Sequence, residues 1–212
     1  MELIDTSHIP NWPEHVLLAY NEMNDVEGIE VLSEKERKKF HSFKSEGRKA
    51  EYLNSRKLFR FLLAELGADP DSAQLLKYNG GKPYGICGEN HMYVSFTHTP
   101  EKVFCAISKE IELGLDSEVV SRKVKPRVLN RILNKSERES LHNIDPIVVW
   151  TIKEAAVKFL GTGLGTHMDD HTIVKTKKNR YSVRFNDDKL IEICSFRQSD
   201  HQIALAYQSK HI

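Results

Sequence analysis

An acidic pair inside an otherwise apolar segment is the feature that most constrains this chain. Asp116 and Glu118 lie in the stretch 111–120, where the neighbouring side chains are mostly apolar and a β-strand is expected. Residues i and i+2 of a strand point to the same face, so the two carboxylates are expected to converge on one point. A lone D-x-E pair usually marks a solvated face, but acids on a buried strand need partners, and a metal ion is one.

A second polar cluster follows about thirty residues later, in a segment with helical signals. The Asp-Pro step at 145–146 predicts a helix start and Gly161 predicts its end. Glu154 and Lys158 are four residues apart and therefore share a helix face. The simplest interpretation is an exposed ion pair, but Trp150, four residues before Glu154, indicates that this face packs near the core. Three carboxylates and a lysine on two elements then suggest Mg²⁺ and phosphoryl chemistry.

The order of predicted elements indicates an α+β fold. Ser33 with Glu36 predicts a capped helix, and Gly47 interrupts the pattern before a second helix. Further helices are expected over 48–66, from Pro126, from a Ser136 cap with Glu139, and over 145–160. Strands are expected over 92–96, 103–108, 111–120, 181–185, 190–196 and 202–207. Turns are expected at 79–83 and 186–188. Each half holds helices and a few strands, which predicts two α+β halves, 1–109 and 110–212, with a ligand cleft between them.

Composition limits the classes of partner. The net charge of +1 gives no global field that favours nucleic acid or an acidic membrane, although the segment 33–60 carries ten Lys/Arg and four Glu, or 10 − 4 = +6. An RNA-binding module using this segment is the weaker alternative, because its aromatic residues fall at helical core spacing. The three cysteines lack metal or disulfide spacing. The amino terminus has no signal-peptide pattern and no run approaches ~20 apolar residues, so the cytosol is the expected location.

Two weaker signals lie between these regions. The turn Gly80-Gly81-Lys82-Pro83 presents a lysine that could contact a phosphate, and His98 follows a predicted strand with a threonine on either side. Taken singly, each is more simply an ordinary turn or loop residue. Their order along the chain, ahead of the acidic pair and the helix, is the more specific observation.

In that order the signals resemble the 4′-phosphopantetheinyl transferases, specifically the larger, surfactin-synthetase-activating (Sfp-like) type. The matching blocks are Gly81-Lys82-Pro83, Phe96-Thr97-His98-Thr99, Gly114-Leu115-Asp116-Ser117-Glu118, and Trp150-Thr151-Ile152-Lys153-Glu154 through Lys158, continued by Gly161-Thr162-Gly163-Leu164. The basic segment with Arg48, Ser55-Arg56 and Arg60 resembles the helices of the family's amino-terminal half. The chain departs from the family pattern at Thr97 and Thr99, which replace serines, and at Ser117, which replaces a β-branched apolar residue.

The resemblance implies two pseudo-symmetric α+β halves in one monomeric chain, with the active site in the cleft between them. It implies transfer of the 4′-phosphopantetheine arm from coenzyme A to a serine of an apo acyl or peptidyl carrier protein, with adenosine 3′,5′-bisphosphate as the other product. Mg²⁺, or Mn²⁺ on the same oxygen ligands, would bind Asp116, Glu118 and Glu154. The residues implied to contact coenzyme A are Arg48, Arg56, Lys82, Thr97, His98, Lys153 and Lys158.

The resemblance points to Glu154 as the base that deprotonates the acceptor serine. A carboxylate bound to Mg²⁺ is a poor base, so a metal-bound water or Glu137 is the alternative. The rival function is a non-catalytic coenzyme A or nucleotide-binding protein on the same fold. That rival has no use for three metal-binding carboxylates, which favours the enzyme.

Overall fold

The computed structural model describes residues 1–24, 26–163, 167–177, 180–185 and 189–208, without the side chains of 175–177. The predicted hairpin turn at 186–188 and Leu164 of the Gly-Thr-Gly-Leu continuation lie outside this description. Every helix within these ranges is too short or too polar to span a lipid bilayer.

Strands and helices alternate in groups along the chain, which confirms the α+β class. The strands are β1 (Glu2–Leu3), β2 (Leu17–Glu22), β3 (Ala73–Lys77), β4 (Pro83–Cys87), β5 (Asn90–His98), β6 (Lys102–Ser108), β7 (Leu113–Val119), β8 (Thr172–Lys177), β9 (Arg180–Phe185), β10 (Lys189–Gln198) and β11 (His201–Tyr207). The α-helices are α1 (Glu34–Ser42), α2 (Glu46–Glu65), α3 (Pro126–Ile132), α4 (Lys135–Ser140) and α5 (Pro146–Leu160).

The strands form two antiparallel sheets. The first has the order β1-β2-β6-β5-β4-β3, and the second has the order β7-β11-β10-β9-β8. The long helix α2 covers one face of the first sheet, where Leu58, Phe59 and Leu62 join a buried apolar cluster with side chains of β5 and β6. The helix α5 covers one face of the second sheet in the same way. Each sheet is therefore buried on one side by a helix of its own half.

The remaining faces of the two sheets share a central apolar cluster. Leu18 and Phe104 come from the first sheet, and Leu115 and Leu205 come from the second. The amino-terminal segment adds buried side chains to the same cluster, including Ile9. One core thus spans both sheets.

Hydroxyl side chains join the two sheets where β5 meets β7. Ser95 Oγ accepts a hydrogen bond from the Leu115 N–H at 2.9 Å, and Thr97 Oγ1 accepts one from the Ser117 N–H at 3.2 Å. A buried N–H without a partner would be costly, so these side chains replace a backbone partner along this edge of β7. Thr97, one of the two threonines beside His98 in the sequence, therefore has a structural role.

Several local predictions are confirmed and others are wrong. The Ser33–Glu36 capping box, the helix start at 145–146 and the left-handed Gly161 after α5 are present. Gly47 does not interrupt a helix but lies in the first turn of α2, which Ser45 caps. The predicted Ser136 cap is wrong. Asn134 caps α4 instead, because its side chain accepts from the Glu137 N–H while the Glu137 carboxylate accepts from the Asn134 N–H.

Candidate functional site

A cleft between α2, β5, β7 and α5 collects most of the predicted site residues. It consists of two adjoining cavities, of about 420 Å³ and about 740 Å³, that share Glu51, Thr97, His98, Glu154 and Lys158. Arg56 and Lys82 line only the first, which we call the basic cavity. Arg48, Asp116 and Glu118 line only the second, which we call the acidic cavity. Nine of the ten predicted residues thus lie along one continuous cleft.

A glycine allows the helix to approach the acidic strand. A Cβ at Gly114 would lie 2.3 Å from the Phe159 nitrogen and 2.4 Å from the Ala155 oxygen, which no side chain can occupy. The close contact brings the same face of α5, with Glu154 and Lys158, over the face of β7 that carries Asp116. This contact explains the glycine two residues before Asp116 in the acidic block.

Asp116 lies at the centre of the cleft and is nearly fully buried. Its Oδ1 accepts from Lys158 Nζ at 2.8 Å and from Thr97 Oγ1 at 3.1 Å. Its Oδ2 is buried and has no hydrogen-bond partner in the described part of the chain. Burial raises the pKa of Asp116 despite the opposing effect of Lys158, and the nearby Glu118 raises it further. The site therefore holds a carboxylate oxygen that still needs a partner.

Glu154 is mostly buried beside the other two acids. Burial, followed by repulsion from Asp116, raises the pKa of Glu154 to about 7, and Lys158 only partly offsets this. A carboxyl group with this pKa exchanges its proton near neutral pH, which is the range that a general acid or base requires.

The three acids line one cavity, but they do not form a chelate as they stand. Among the described residues, one group of three possible metal-binding side chains has its ligand atoms within 4.8 Å of one another. That group is Glu101, Asp200 and His201, and it contains none of the three predicted acids. The Glu118 carboxylate instead accepts from the Trp150 indole N–H at 2.9 Å and pairs with Arg122. A metal at the three predicted acids would therefore compete with Trp150 and Arg122 for the Glu118 carboxylate.

The acids nevertheless fit a hard divalent cation. Asp116 Oδ2 lacks a partner, and the like charges of the three carboxylates raise the pKa values of Asp116 and Glu154. A divalent cation would supply the missing partner and remove the repulsion. Carboxylate oxygens are the ligands that Mg²⁺ and Mn²⁺ accept. The three acids could hold either ion.

The basic groups that face the cleft are bound to acids. Lys82 Nζ donates to Glu112 at 2.7 Å and to the Phe159 carbonyl, and burial lowers the pKa of Lys82. His98 Nδ1 lies 3.5 Å from Glu51, which also pairs with Arg48 at 2.8 Å. An anion entering the cleft would compete with these carboxylates for the basic side chains.

Arg56 lies at the side of the basic cavity. Its guanidinium stacks on the Tyr52 ring at 3.5 Å and lies 3.6 Å from Glu36, and burial lowers the pKa of Arg56. Its Nε is buried without a hydrogen-bond partner in the described part of the chain. This Nε is the atom that faces Glu36, so Tyr52 and Glu36 together hold Arg56 in place.

Lys153 does not line the cleft. Its side chain is 1% exposed, pairs with Glu137 at 2.7 Å and donates to the carbonyls of Met168 at 2.9 Å and of His171. Glu137 is itself fully buried and also accepts from the Ile173 N–H at 2.6 Å. This corrects the predicted position of Lys153 at the diphosphate, and it removes Glu137 as an alternative base.

Sequence reasoning missed Arg122, which lines the acidic cavity and pairs with Glu118. The available signal was its position four residues beyond Glu118. It also missed Glu51 and Glu112, the acids that hold the basic groups of the cleft. Neither lies in a block that stands out from the sequence.

Comparison with known proteins found a family similarity for one part of the chain. Residues 112–207 match the family model of the 4′-phosphopantetheinyl transferase superfamily, so this part of the chain is similar to that superfamily. The matched span contains Asp116, Glu118, Glu154 and Lys158. A search of the curated proteins gave no match. The resemblance is thereby confirmed for this span at the level of the superfamily.

Proposed function

We propose that this protein transfers the 4′-phosphopantetheine arm of coenzyme A to a serine of an apo acyl or peptidyl carrier protein, as a member of the larger, surfactin-synthetase-activating type. One observation carries the proposal. Three carboxylates and Lys158 line a cavity that continues into a second cavity with basic side chains. A nucleotide diphosphate requires this combination of a metal site next to cationic contacts.

The two cavities suggest where each substrate binds. Coenzyme A occupies the basic cavity, with its phosphorylated nucleotide near Arg56, Lys82 and His98 and with its diphosphate at Lys158. Arg48 and Thr97 complete these contacts from the sides of the cleft. The carrier serine enters through the acidic cavity, whose outer part contains Arg122 and Trp150.

Asp116, Glu118 and Glu154 would hold Mg²⁺, which neutralises charge on the diphosphate when it is bound. Lys158 adds a fixed positive charge at the same place. In the transfer, the serine Oγ forms a bond to the phosphorus on the pantetheine side of the diphosphate. The bond from that phosphorus to the bridging oxygen breaks, and adenosine 3′,5′-bisphosphate leaves with the electron pair.

The serine proton passes to Glu154, directly or through a water molecule. The pKa of about 7 belongs to the metal-free carboxyl group, and bound Mg²⁺ lowers it because the cation favours the charged form. Because the transition state of phosphoryl transfer is loose, the reaction asks little of the nucleophile, so a modest base is sufficient. Both halves of the cleft come from one chain, and we propose that the monomer is the active form.

A mass measurement tests the proposal. Incubation with coenzyme A, Mg²⁺ and an apo carrier protein should increase the carrier mass by one phosphopantetheine group. Asp116→Ala should abolish this increase while the protein stays folded by circular dichroism. Coenzyme A binding without transfer to any of several unrelated carriers would instead favour the non-catalytic alternative, and near-normal transfer by Asp116→Ala would refute the metal assignment.

A further inference from the structure

A third cavity lies outside the cleft, beside the strand β10. Its volume is about 410 Å³, and none of its described lining residues lines the basic or the acidic cavity. Strand β9 begins at Arg180, opposite Cys194, so the residues Ser195–Gln198 at the end of β10 pair with β11 alone within the described chain. This leaves a notch at the side of the second sheet, and Ile9 and Pro10 of the amino-terminal segment line it.

The wall that the amino-terminal segment gives to this third cavity is held in place by specific contacts. The buried Arg180 donates to the Pro10 carbonyl at 2.7 Å and to the Asn11 carbonyl. The Trp12 ring packs edge-on against the Phe196 ring, with 5.7 Å between the ring centres. The cavity is therefore formed before a ligand arrives, as most small-molecule sites are.

Three polar side chains that line the cavity are buried and still have unused hydrogen-bonding groups. Tyr181, Ser195 and Gln202 are 7%, 2% and 3% exposed. The Tyr181 hydroxyl makes no hydrogen bond within the described part of the chain, and burial alone raises the pKa of Tyr181. Gln202 Nε2 donates to Ser195 Oγ at 2.9 Å, which leaves Gln202 Oε1 and the Ser195 O–H without partners among the described residues. Buried polar groups without partners are costly, and a polar ligand would remove that cost.

The solvent-exposed part of the cavity is basic. Arg197 and His8 line it and are exposed, and no acidic side chain lines it within the described ranges. Arg197 Nη2 donates to Asp145 at 3.1 Å, but an exposed pair of this kind contributes little, so a ligand anion can share the guanidinium. Val148 and Phe196 add apolar walls. The cavity thus combines a neutral polar interior, apolar walls and a basic opening.

We infer that the third cavity binds a small organic acid with an apolar body, a carboxylate at one end and a hydroxyl group at the other. The carboxylate pairs with Arg197 at the opening, and the hydroxyl exchanges hydrogen bonds with Tyr181 and Gln202 inside. The volume of about 410 Å³ is within the range of small-molecule sites. A site with buried polar groups discriminates against analogues that lack the matching group. The inference does not depend on the transferase function, because this cavity is separate from the cleft.

The probe for the test is 4-hydroxybenzoate, because its ring carries the two polar groups at opposite ends. Titration of the isotope-labelled protein, followed by NMR, should shift the backbone amide signals of Tyr181 and Arg197 with a Kd of roughly 1 mM or tighter. Benzoate, which lacks the hydroxyl, and 4-hydroxybenzamide, which lacks the charge, should each bind roughly three- to tenfold more weakly. Saturating coenzyme A should leave the Kd of the probe unchanged.

Two variants of the cavity make the result specific. Tyr181→Phe and Arg197→Gln should each weaken binding of the probe roughly three- to tenfold. Tyr181→Phe removes a hydroxyl that has no partner within the described chain, so its Tm should not fall below that of the wild type. The matched controls are Tyr84→Phe in β4 and Arg184→Gln in β9, which lie outside the lining and should bind the probe as the wild type does.

Four results would overturn the inference. The first is the absence of any amide shift up to the solubility limit of the probe. The second is equal binding of the probe by the wild type, Tyr181→Phe and Arg197→Gln. The third is displacement of the probe by coenzyme A, which would place the probe in the cleft. The fourth is binding of benzoate or 4-hydroxybenzamide as tight as that of the probe, which would contradict the assigned class of ligand.

Discussion

Two lysines of α5 show which side-chain positions a sequence can predict and which it cannot. Lys158 is four residues from Glu154 and shares its face, and the structure places both in the cleft. Lys153 is five residues from Lys158, or about 140° around the helix, and points to the other side. It is buried against Glu137 because α4 packs there, and no local pattern predicts that contact. The predicted acids were easier to assign because strand alternation fixes their common face.

The carboxyl group of Glu154 should make the stability of the metal-free protein depend on pH. Its pKa is about 7 in the folded protein and near 4.5 in the unfolded chain, so between these values the folded state holds a proton that the unfolded state has lost. The free energy of unfolding should therefore fall as pH rises from about 4.5 to about 7, by on the order of 3 kcal/mol. Urea denaturation at several pH values measures this slope.

Glu154→Gln serves as the control for that slope. The variant cannot ionise at this position, so its stability should change less over the same pH interval. Mg²⁺ favours the charged carboxylates and should stabilise the wild type more at pH 8 than at pH 6. Equal slopes for the wild type and the variant would mean that Glu154 does not titrate in this range.

The elements that the sequence predicted are those with local signals. The helix α5 has an Asp-Pro start, a Gly stop and an apolar face, and its predicted bounds agree with the observed helix. The strand β2 was missed because its six residues show no alternation and because it pairs mainly with β6, eighty or more residues later. Strand β3 is an edge strand of the first sheet and β4 lies next to it, and both are only partly buried, so their apolar pattern is weak.

The contact between α5 and β7 can be tested at Gly114. A methyl group there would clash with the backbone of α5 at Ala155 and Phe159, so Gly114→Ala must push the helix away from the strand. Overpacking of this kind costs about 1–3 kcal/mol. The shift would also separate Glu154 and Lys158 from Asp116, so transfer activity should fall more than stability does. Thermal unfolding and the carrier mass assay measure the two effects.

Gly47→Ala is a matched substitution with room for the added methyl group. The nearest atom to a Cβ at this position is Ser45 Oγ at 3.7 Å, and the residue lies in the first turn of α2. The change should leave stability unaltered or raise it by up to about 1 kcal/mol, because alanine favours helix. If Gly114→Ala were as stable as Gly47→Ala, the close packing of α5 on β7 would not be required.

The two predicted halves share too much core to be independent. The central cluster contains Leu18 and Phe104 from residues 1–109, and Leu115 and Leu205 from residues 110–212. Ser95 and Thr97 also supply hydrogen-bond partners to the backbone of β7 across the boundary. Neither contact involves neighbours in the sequence, which is why the sequence predicted a cleft but not a common core. Because the two sheets share one core, we expect that neither half folds separately.

Expression of residues 110–212 alone tests this view of the molecule. The fragment would expose the apolar face of β7 and β11 and leave the Leu115 and Ser117 N–H groups without their hydroxyl partners. Exposure of this apolar face removes much of the burial that would stabilise the fragment, so the fragment should show no cooperative thermal transition. Mixing it with residues 1–109 should restore the transition and coenzyme A binding, because the two fragments together rebuild the core and both cavities. A cooperative transition in the isolated fragment, seen by calorimetry, would instead establish the carboxyl-terminal half as a domain of its own.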